Sequence, residues 1–203
     1  MRSLKKTGVA AAVFGIICNF GLFLAKLYVS ISSSSLAIYC DAVNNFLDVF
    51  SCLLALLTFA LIARLAERKS LRAQSLCAFV INLVIACTGV YFLYNGLQRT
   101  LRPLPISYTY KYAAIIGASI LAKALMALIY NLLNKSAQSD ILRALVLDSV
   151  LDCGVTAFTL IGLVVAPKIG FAADGIFALV LGGIITAQAV KEIIKETKFL
   201  INE

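Results

Sequence analysis

Two apolar stretches of the chain each carry a pair of polar side chains four residues apart. The first pair is Asn44 and Asp48, and the second is Asp148 and Asp152. A spacing of four places both members of a pair on the same face of a helix. An isolated carboxylate costs at least about 2.5 kcal/mol at the centre of a bilayer, so three of them in membrane helices would need a bound partner. Oxygen donors of this kind bind divalent metal cations, which is the chemistry that the spacing indicates.

The composition places these stretches in a membrane. Hydrophobic residues make up 62% of the chain and charged residues only 14%, against roughly 25% charged residues in soluble domains, and the mean hydropathy is +0.97. Runs of the roughly 20 apolar residues that cross a bilayer recur at residues 8–28, 36–61, 76–97, 112–133, 141–165 and 171–190. We therefore expect an all-α polytopic membrane protein, a bundle of six transmembrane helices. It would form a single transmembrane domain over residues 1–203, with no soluble C-terminal domain.

The basic residues indicate how the bundle is oriented. They concentrate at residues 2–6, 64–72 and 191–198, which share one side of the predicted membrane, whereas Arg99, Arg102, Lys111 and Lys168 fall on the other. The positive-inside rule then predicts a multi-pass protein of the cell membrane with its N- and C-termini in the cytoplasm. The net charge of +8 reflects this topology. Nucleic-acid binding is not expected, because no basic cluster is interleaved with stacking aromatic residues on a soluble module.

A weak repeat relates the two halves of the sequence. The segments NNFLDVFSCLLALL and LDSVLDCGVTAFTLIG both place a polar residue four positions before an aspartate and then continue as apolar helix. With three spans in each half, the second span runs inward and the fifth outward, so the halves form inverted three-helix repeats, a recurrent plan of secondary transporters. At 1.5 Å per residue, Asp48 and Asp152 both reach the bilayer centre. Side-by-side packing of the two helices would bring the four polar groups together.

The predicted metal ligands are oxygen atoms alone: the chain contains no histidine, and the set consists of Asn44, Asp48, Asp148 and Asp152. Such a set favours Mn²⁺, Mg²⁺ or Ca²⁺ over Zn²⁺. Because carboxylates bind a metal without their protons, metal entry would release protons, which is a physical basis for antiport. The metal would be a substrate, and no cofactor is expected.

Two neighbours of this set have secondary roles. Asp41 lies one turn outward of Asn44 on the same helix face, where it is a candidate relay toward the outside. Asn45 also falls near this face and is the alternative ligand. The four-residue spacing favours Asn44.

Three further charged residues lie in or beside the predicted spans. For Lys26 and Lys123 we expect side chains that extend to the lipid headgroups, with charge balance for the aspartates as the alternative. Asp174 is expected to be solvated or to cap a helix.

Two segments of the chain are similar to a known family. KLYVSISSSSLAIYCDAVNNFLDVFSCLL resembles the first-to-second span region of the cation diffusion facilitator family, and SDILRALVLDSVLDCGVTAFTLIG resembles its fifth span. The resemblance implies a divalent metal efflux transporter, commonly a homodimer that exchanges cytoplasmic metal for external protons. It assigns the intramembrane metal site to Asn44, Asp48, Asp148 and Asp152. Zinc-handling members usually have histidine at one or two of these positions, so this set resembles the manganese-handling branch, with Fe²⁺, Co²⁺ or Zn²⁺ as alternatives.

The sequence departs from the family pattern in two places. The segment RLAERKSLRAQ lacks the glycine and histidine that many members have between the second and third spans. Members usually continue into a cytoplasmic domain of ferredoxin-like fold, whereas this sequence ends at KETKFLINE. We therefore expect the metal sites and dimer contacts of that domain to be absent.

Two other classes of protein compete with a transporter. An intramembrane aspartyl protease needs two carboxylates that share a proton, and such proteases resemble one another in a Tyr-Asp and a Gly-x-Gly-Asp motif. Here Asp41 follows Cys40 and the residues before Asp152 are Ser-Val-Leu, so an enzyme is not expected. A non-transporting membrane scaffold or channel component is the remaining alternative, and a scaffold would tolerate loss of the aspartates.

Overall fold

The computed structural model describes residues 2–61, 67–137 and 140–202. These residues form six α-helices and contain no strand. The helices are α1 (Arg2–Ser33), α2 (Leu36–Leu61), α3 (Glu67–Leu101), α4 (Tyr110–Ala137), α5 (Asp140–Ile169) and α6 (Ala172–Asn202). Each contains a segment long and apolar enough to cross a membrane. The predicted all-α, six-span bundle is confirmed.

Several spans are longer than the sequence pattern predicted. The membrane-compatible segments are Thr7–Ser33, Leu36–Thr58, Ala78–Leu101, Tyr110–Lys135, Ile141–Ile169 and Ala172–Ile201. The largest difference is at α6, which continues past residue 190 through a charged stretch. Hydropathy falls there, but Lys, Glu, Ile and Leu allow a helix to continue, so the helix outlasts its apolar part.

The connections between α1 and α2, α3 and α4, and α5 and α6 meet at one end of the bundle, which we call the loop end (residues 34–35, 102–109 and 170–171). The backbone N–H of Ser107 donates to the Ser33 carbonyl at 2.9 Å, which joins two of the connections. Ser35 caps α2, since its Oγ accepts from the backbone N–H of Ile38 at 3.3 Å. Gly170 ends α5 with a φ of +125°, a conformation that favours glycine.

The helices pack as three main pairs. α1 lies against α2, α4 against α5, and α3 against α6, and α2 also touches α5. α2 begins at the loop end whereas α5 finishes there, so the two central helices are antiparallel, as expected for inverted repeats. The pair that carries the polar spacing therefore meets inside the bundle.

Glycine allows α3 and α6 to approach closely. A Cβ atom added at Gly96 would lie 2.8 Å from the backbone nitrogen of Leu179, and one at Gly182 would lie 2.9 Å from that of Leu93. Real side chains do not tolerate such distances, so the two backbones are in direct contact. Small residues serve this purpose at helix interfaces in membranes.

Candidate metal centre

α2 and α5 bring three predicted ligands into one cluster, the carboxylate cluster of Asp48, Asp148 and Asp152. One carboxylate oxygen from each residue lies within 4.8 Å of the others. Asp48 and Asp152 are buried and Asp148 is half-buried. Two oxygens bound to one Ca²⁺ at 2.3–2.6 Å are at most about 5 Å apart. The three oxygens are thus close enough to share an ion after small adjustments.

Both candidate asparagines reach this cluster. The Asn44 amide donates to Asp152 Oδ1 at 2.9 Å, and the Asn45 amide donates to Asp48 Oδ2 at 3.2 Å. Asn45 is fully buried, and its Oδ1 has no hydrogen-bond partner in the part of the chain that the structure describes. Contact alone does not choose between the two, and the preference for Asn44 stays a prediction.

Lys123 of α4 also belongs to the site, a position that the sequence offered only as the alternative to the lipid headgroups. Its Nζ donates to Asp48 Oδ2 at 2.8 Å and also pairs with Asp152 Oδ2. The side chain is 0% exposed, so the expected extension to the headgroups is wrong and the charge-balance alternative is correct. The physical reason is that a buried carboxylate is costly without a compensating charge. The sequence feature that indicates this contact is a lysine deep in an apolar run, in a chain with acidic residues in other spans.

Lys26 belongs to a second buried group, the Lys26–Asp41 cluster, which also contains Thr156 and Thr159. Lys26 Nζ donates to Asp41 Oδ1 at 2.9 Å and to Thr156 Oγ1 at 2.7 Å. Thr159 Oγ1 donates to Asp41 Oδ2 at 3.1 Å. The expected extension of Lys26 to the headgroups is therefore wrong as well. Asp41 lies on the loop-end side of Asp48 along α2, outside the carboxylate cluster, and its role as a relay stays a prediction.

Asp174 forms a third polar layer, at the loop end. Its carboxylate accepts from the backbone N–H groups of Leu36 at 2.8 Å and Ala37 at 3.3 Å, and from Ser35 Oγ at 2.6 Å. Arg99 Nε lies 3.4 Å away. Asp174 is only 1% exposed, so the expected solvation is wrong, and the expected capping is confirmed at a helix other than its own. The helix that it caps is α2, whose N-terminal dipole favours a negative charge.

An open cavity of about 510 Å³ lies at the loop end. Its lining includes Ser30, Ser35, Tyr39 and Arg99. Ser30 is one turn along α1 from Lys26, so the cavity lies beyond the Lys26–Asp41 cluster as seen from the carboxylate cluster. Polar layers therefore follow α2 from this cavity to the centre of the bundle.

The chain is similar in sequence to known proteins. The family model described as the cation efflux transmembrane domain matches residues 12–201. The cation-efflux pump FieF of Pectobacterium carotovorum subsp. carotovorum (strain PC1) is 23% identical over 185 residues, which cover 89% of this chain and 62% of that protein. Metal tolerance protein 11 of Arabidopsis thaliana is 26% identical over 184 residues, which cover 88% of this chain and 47% of that protein.

The chain thus spans less than two thirds of the length of either relative. The family-model match nevertheless covers almost all of the chain, including α2 and α5 with their aspartates. The family is one of transporters and not a class of enzymes. By this match the chain belongs to the cation efflux family, the cation diffusion facilitators that its first-to-second and fifth spans resemble.

Proposed function

We propose that the protein exports a divalent metal cation from the cytoplasm in exchange for protons. The observation that carries the proposal is the carboxylate cluster, in which oxygens from two antiparallel membrane helices lie within 4.8 Å of one another. Three buried or half-buried aspartates are costly in a membrane protein unless cations bind them. The names of the two relatives, a cation-efflux pump and a metal tolerance protein, support the same class of substrate.

Mn²⁺ is the favoured substrate. The proposed ligands are the three carboxylates and the amide oxygen of Asn44, and a chain without histidine offers no imidazole to select Zn²⁺. The Asn44 amide now donates its N–H₂ group to Asp152, so it would rotate to present oxygen to the ion. Fe²⁺, Co²⁺ and Zn²⁺ are the alternatives to be compared.

Proton exchange follows from the same carboxylates, because they bind a metal only without their protons. The proposed route to the outside passes Asp41 and ends at the cavity of the loop end. This direction agrees with the positive-inside distribution of basic residues, which supports cytoplasmic termini in the cell membrane. A homodimer is the proposed assembly, in line with the family resemblance.

A non-transporting scaffold is the second candidate. The Lys123 ammonium already pairs with two of the three aspartates, so the polar core has an internal counter-charge and could be purely structural. A scaffold of this kind would move no ion.

Uptake into liposomes separates the two candidates. The purified protein would be reconstituted into liposomes with a metal-sensitive dye inside and, in parallel, with a pH-sensitive dye inside. We expect uptake of Mn²⁺ ahead of Zn²⁺, Fe²⁺ and Co²⁺, with alkalinisation of the compartment that loses protons. Metal flux that ignores a pH gradient would refute antiport and indicate a channel, and no flux of any ion would favour the scaffold.

A further inference from the structure

Lys123 donates to oxygens that a metal would also need. Of the four carboxylate oxygens of Asp48 and Asp152, three already accept hydrogen bonds from nitrogen. Lys123 itself bridges the two residues through Asp48 Oδ2 and Asp152 Oδ2, and so joins α2 to α5. A divalent ion shared by these residues would lie in the same space between the helices.

We infer that the Lys123 ammonium and the transported metal are alternative occupants of the Asp48–Asp152 pair. The inference rests on the proposed function. Two cations cannot bridge the same two oxygens at contact distance, because their repulsion in a poorly hydrated site is large. The lysine is therefore a tethered competitor that fills the site when no metal is bound and withdraws when one enters.

A tethered competitor makes Lys123 a specificity-determining residue. The lysine is part of the chain, so its effective concentration at the site is high and constant, on the order of millimolar or more. A monovalent ion such as Na⁺ carries the same charge as the ammonium and gains little by replacing it. A divalent ion has twice the charge for the same carboxylates, so it can displace the lysine where Na⁺ cannot.

The chain supplies a matched control. Lys26 is a second fully buried lysine with an aspartate partner, but that partner is Asp41, outside the carboxylate cluster. Glutamine at either position removes the positive charge and retains a hydrogen-bond donor for the aspartate. A gain in Mn²⁺ affinity only in the position 123 variants indicates competition at the site. An equal gain in the position 26 variant indicates only the loss of a nearby positive charge.

The test is a titration of the purified protein with MnCl₂ by calorimetry, in choline chloride and again in NaCl. The proteins are wild type, Lys123→Met, Lys123→Gln and Lys26→Gln, each shown to be monodisperse and helical. We expect both Lys123 variants to bind Mn²⁺ at least tenfold more tightly than wild type in choline. NaCl should weaken their binding several-fold and that of the wild type much less. Lys26→Gln should remain within about twofold of wild type in both salts.

Two results would overturn the inference alone. One is an Mn²⁺ affinity of the Lys123 variants equal to or weaker than that of wild type, and the other is an equal gain in Lys26→Gln. If Lys123→Met does not fold, Lys123→Gln is decisive by the same criteria. Absence of Mn²⁺ binding in every protein, the Lys123 variants included, would instead overturn the proposed metal site and the inference together.

Discussion

The Asp174 carboxylate of α6 accepts the backbone N–H of Leu36, the first residue of α2, at 2.8 Å. The acceptor comes from the last helix of the chain and the donor from the second, 138 positions away. The cap therefore fixes the start of the helix that carries Asp48 against a different part of the bundle.

Loss of this cap should destabilise the protein. Asp174→Ala removes the acceptor for two backbone N–H groups and the acidic partner of Arg99, and a lost cap costs about 0.5–2 kcal/mol. We expect earlier loss of monodisperse protein in a heating series followed by size-exclusion chromatography. Asp174→Asn keeps an acceptor, so its stability should lie between that of Asp174→Ala and that of wild type. An Asp174→Ala protein as stable as wild type would show that the cap does not contribute to stability.

Each carboxylate of the cluster should be essential for transport. We expect Asp48→Ala, Asp148→Ala and Asp152→Ala each to abolish Mn²⁺ uptake into liposomes, because each removes a charged ligand from one shared site. The proteins should still fold, because Lys123 remains paired with Asp152 when Asp48 is replaced, and with Asp48 when Asp152 is replaced. Glu192→Ala is the control, as this side chain on α6 is 42% exposed and pairs only with Lys195 among the described residues. Uptake near the wild-type rate in any two of the three variants would refute the site.

Metal preference should depend on Asn44 more than on Asn45. Asn44→His replaces an oxygen donor by an imidazole nitrogen, which Zn²⁺ accepts readily, so the ratio of Zn²⁺ to Mn²⁺ uptake should rise. Asn45 is 0% exposed, and a larger imidazole there should lower stability without changing the ratio. The ratio is measured in one preparation, so expression level cancels. A rise in the ratio in Asn45→His but not in Asn44→His would show that Asn45, and not Asn44, is the ligand.

The stability of the protein should depend on Lys26 and Asp41 having balanced charges. Lys26→Met leaves the buried Asp41 without its cation, and breaking such a pair costs about 3–5 kcal/mol. Changing both residues, Lys26→Met with Asp41→Leu, should recover most of this stability, because a buried pair can often be replaced by apolar groups. Thermal unfolding in detergent checks the order of stability, and a double variant no better than Lys26→Met would contradict it. If Asp41 is also a relay, the double variant should fold but transport slowly.

The sequence alone allowed prediction of the helices and of part of the site. Hydropathy and the spacing of four in α2 and α5 are local patterns, so six spans and three clustered carboxylates could be predicted. The partners of Lys123 lie 75 and 29 positions away, and helical periodicity within one segment carries no information about such a contact. The same holds for Lys26, whose hydroxyl partner Thr156 is 130 positions away. From the sequence, the headgroups are preferred to charge balance for both lysines, because the contacts that decide between the two depend on how the helices pack.

The direct backbone contact of α3 with α6 has a consequence for how the bundle can move. At Gly96 and Gly182 the space between the two helices is too small for a Cβ atom, so sliding one helix along the other would force larger side chains into these contacts. α1, α2, α4 and α5 meet through an apolar core and also through the ion pairs of Lys26 and Lys123, which can exchange partners. For the proposed export, we therefore expect α3 and α6 to act as a stationary frame and the four helices around the aspartates to move.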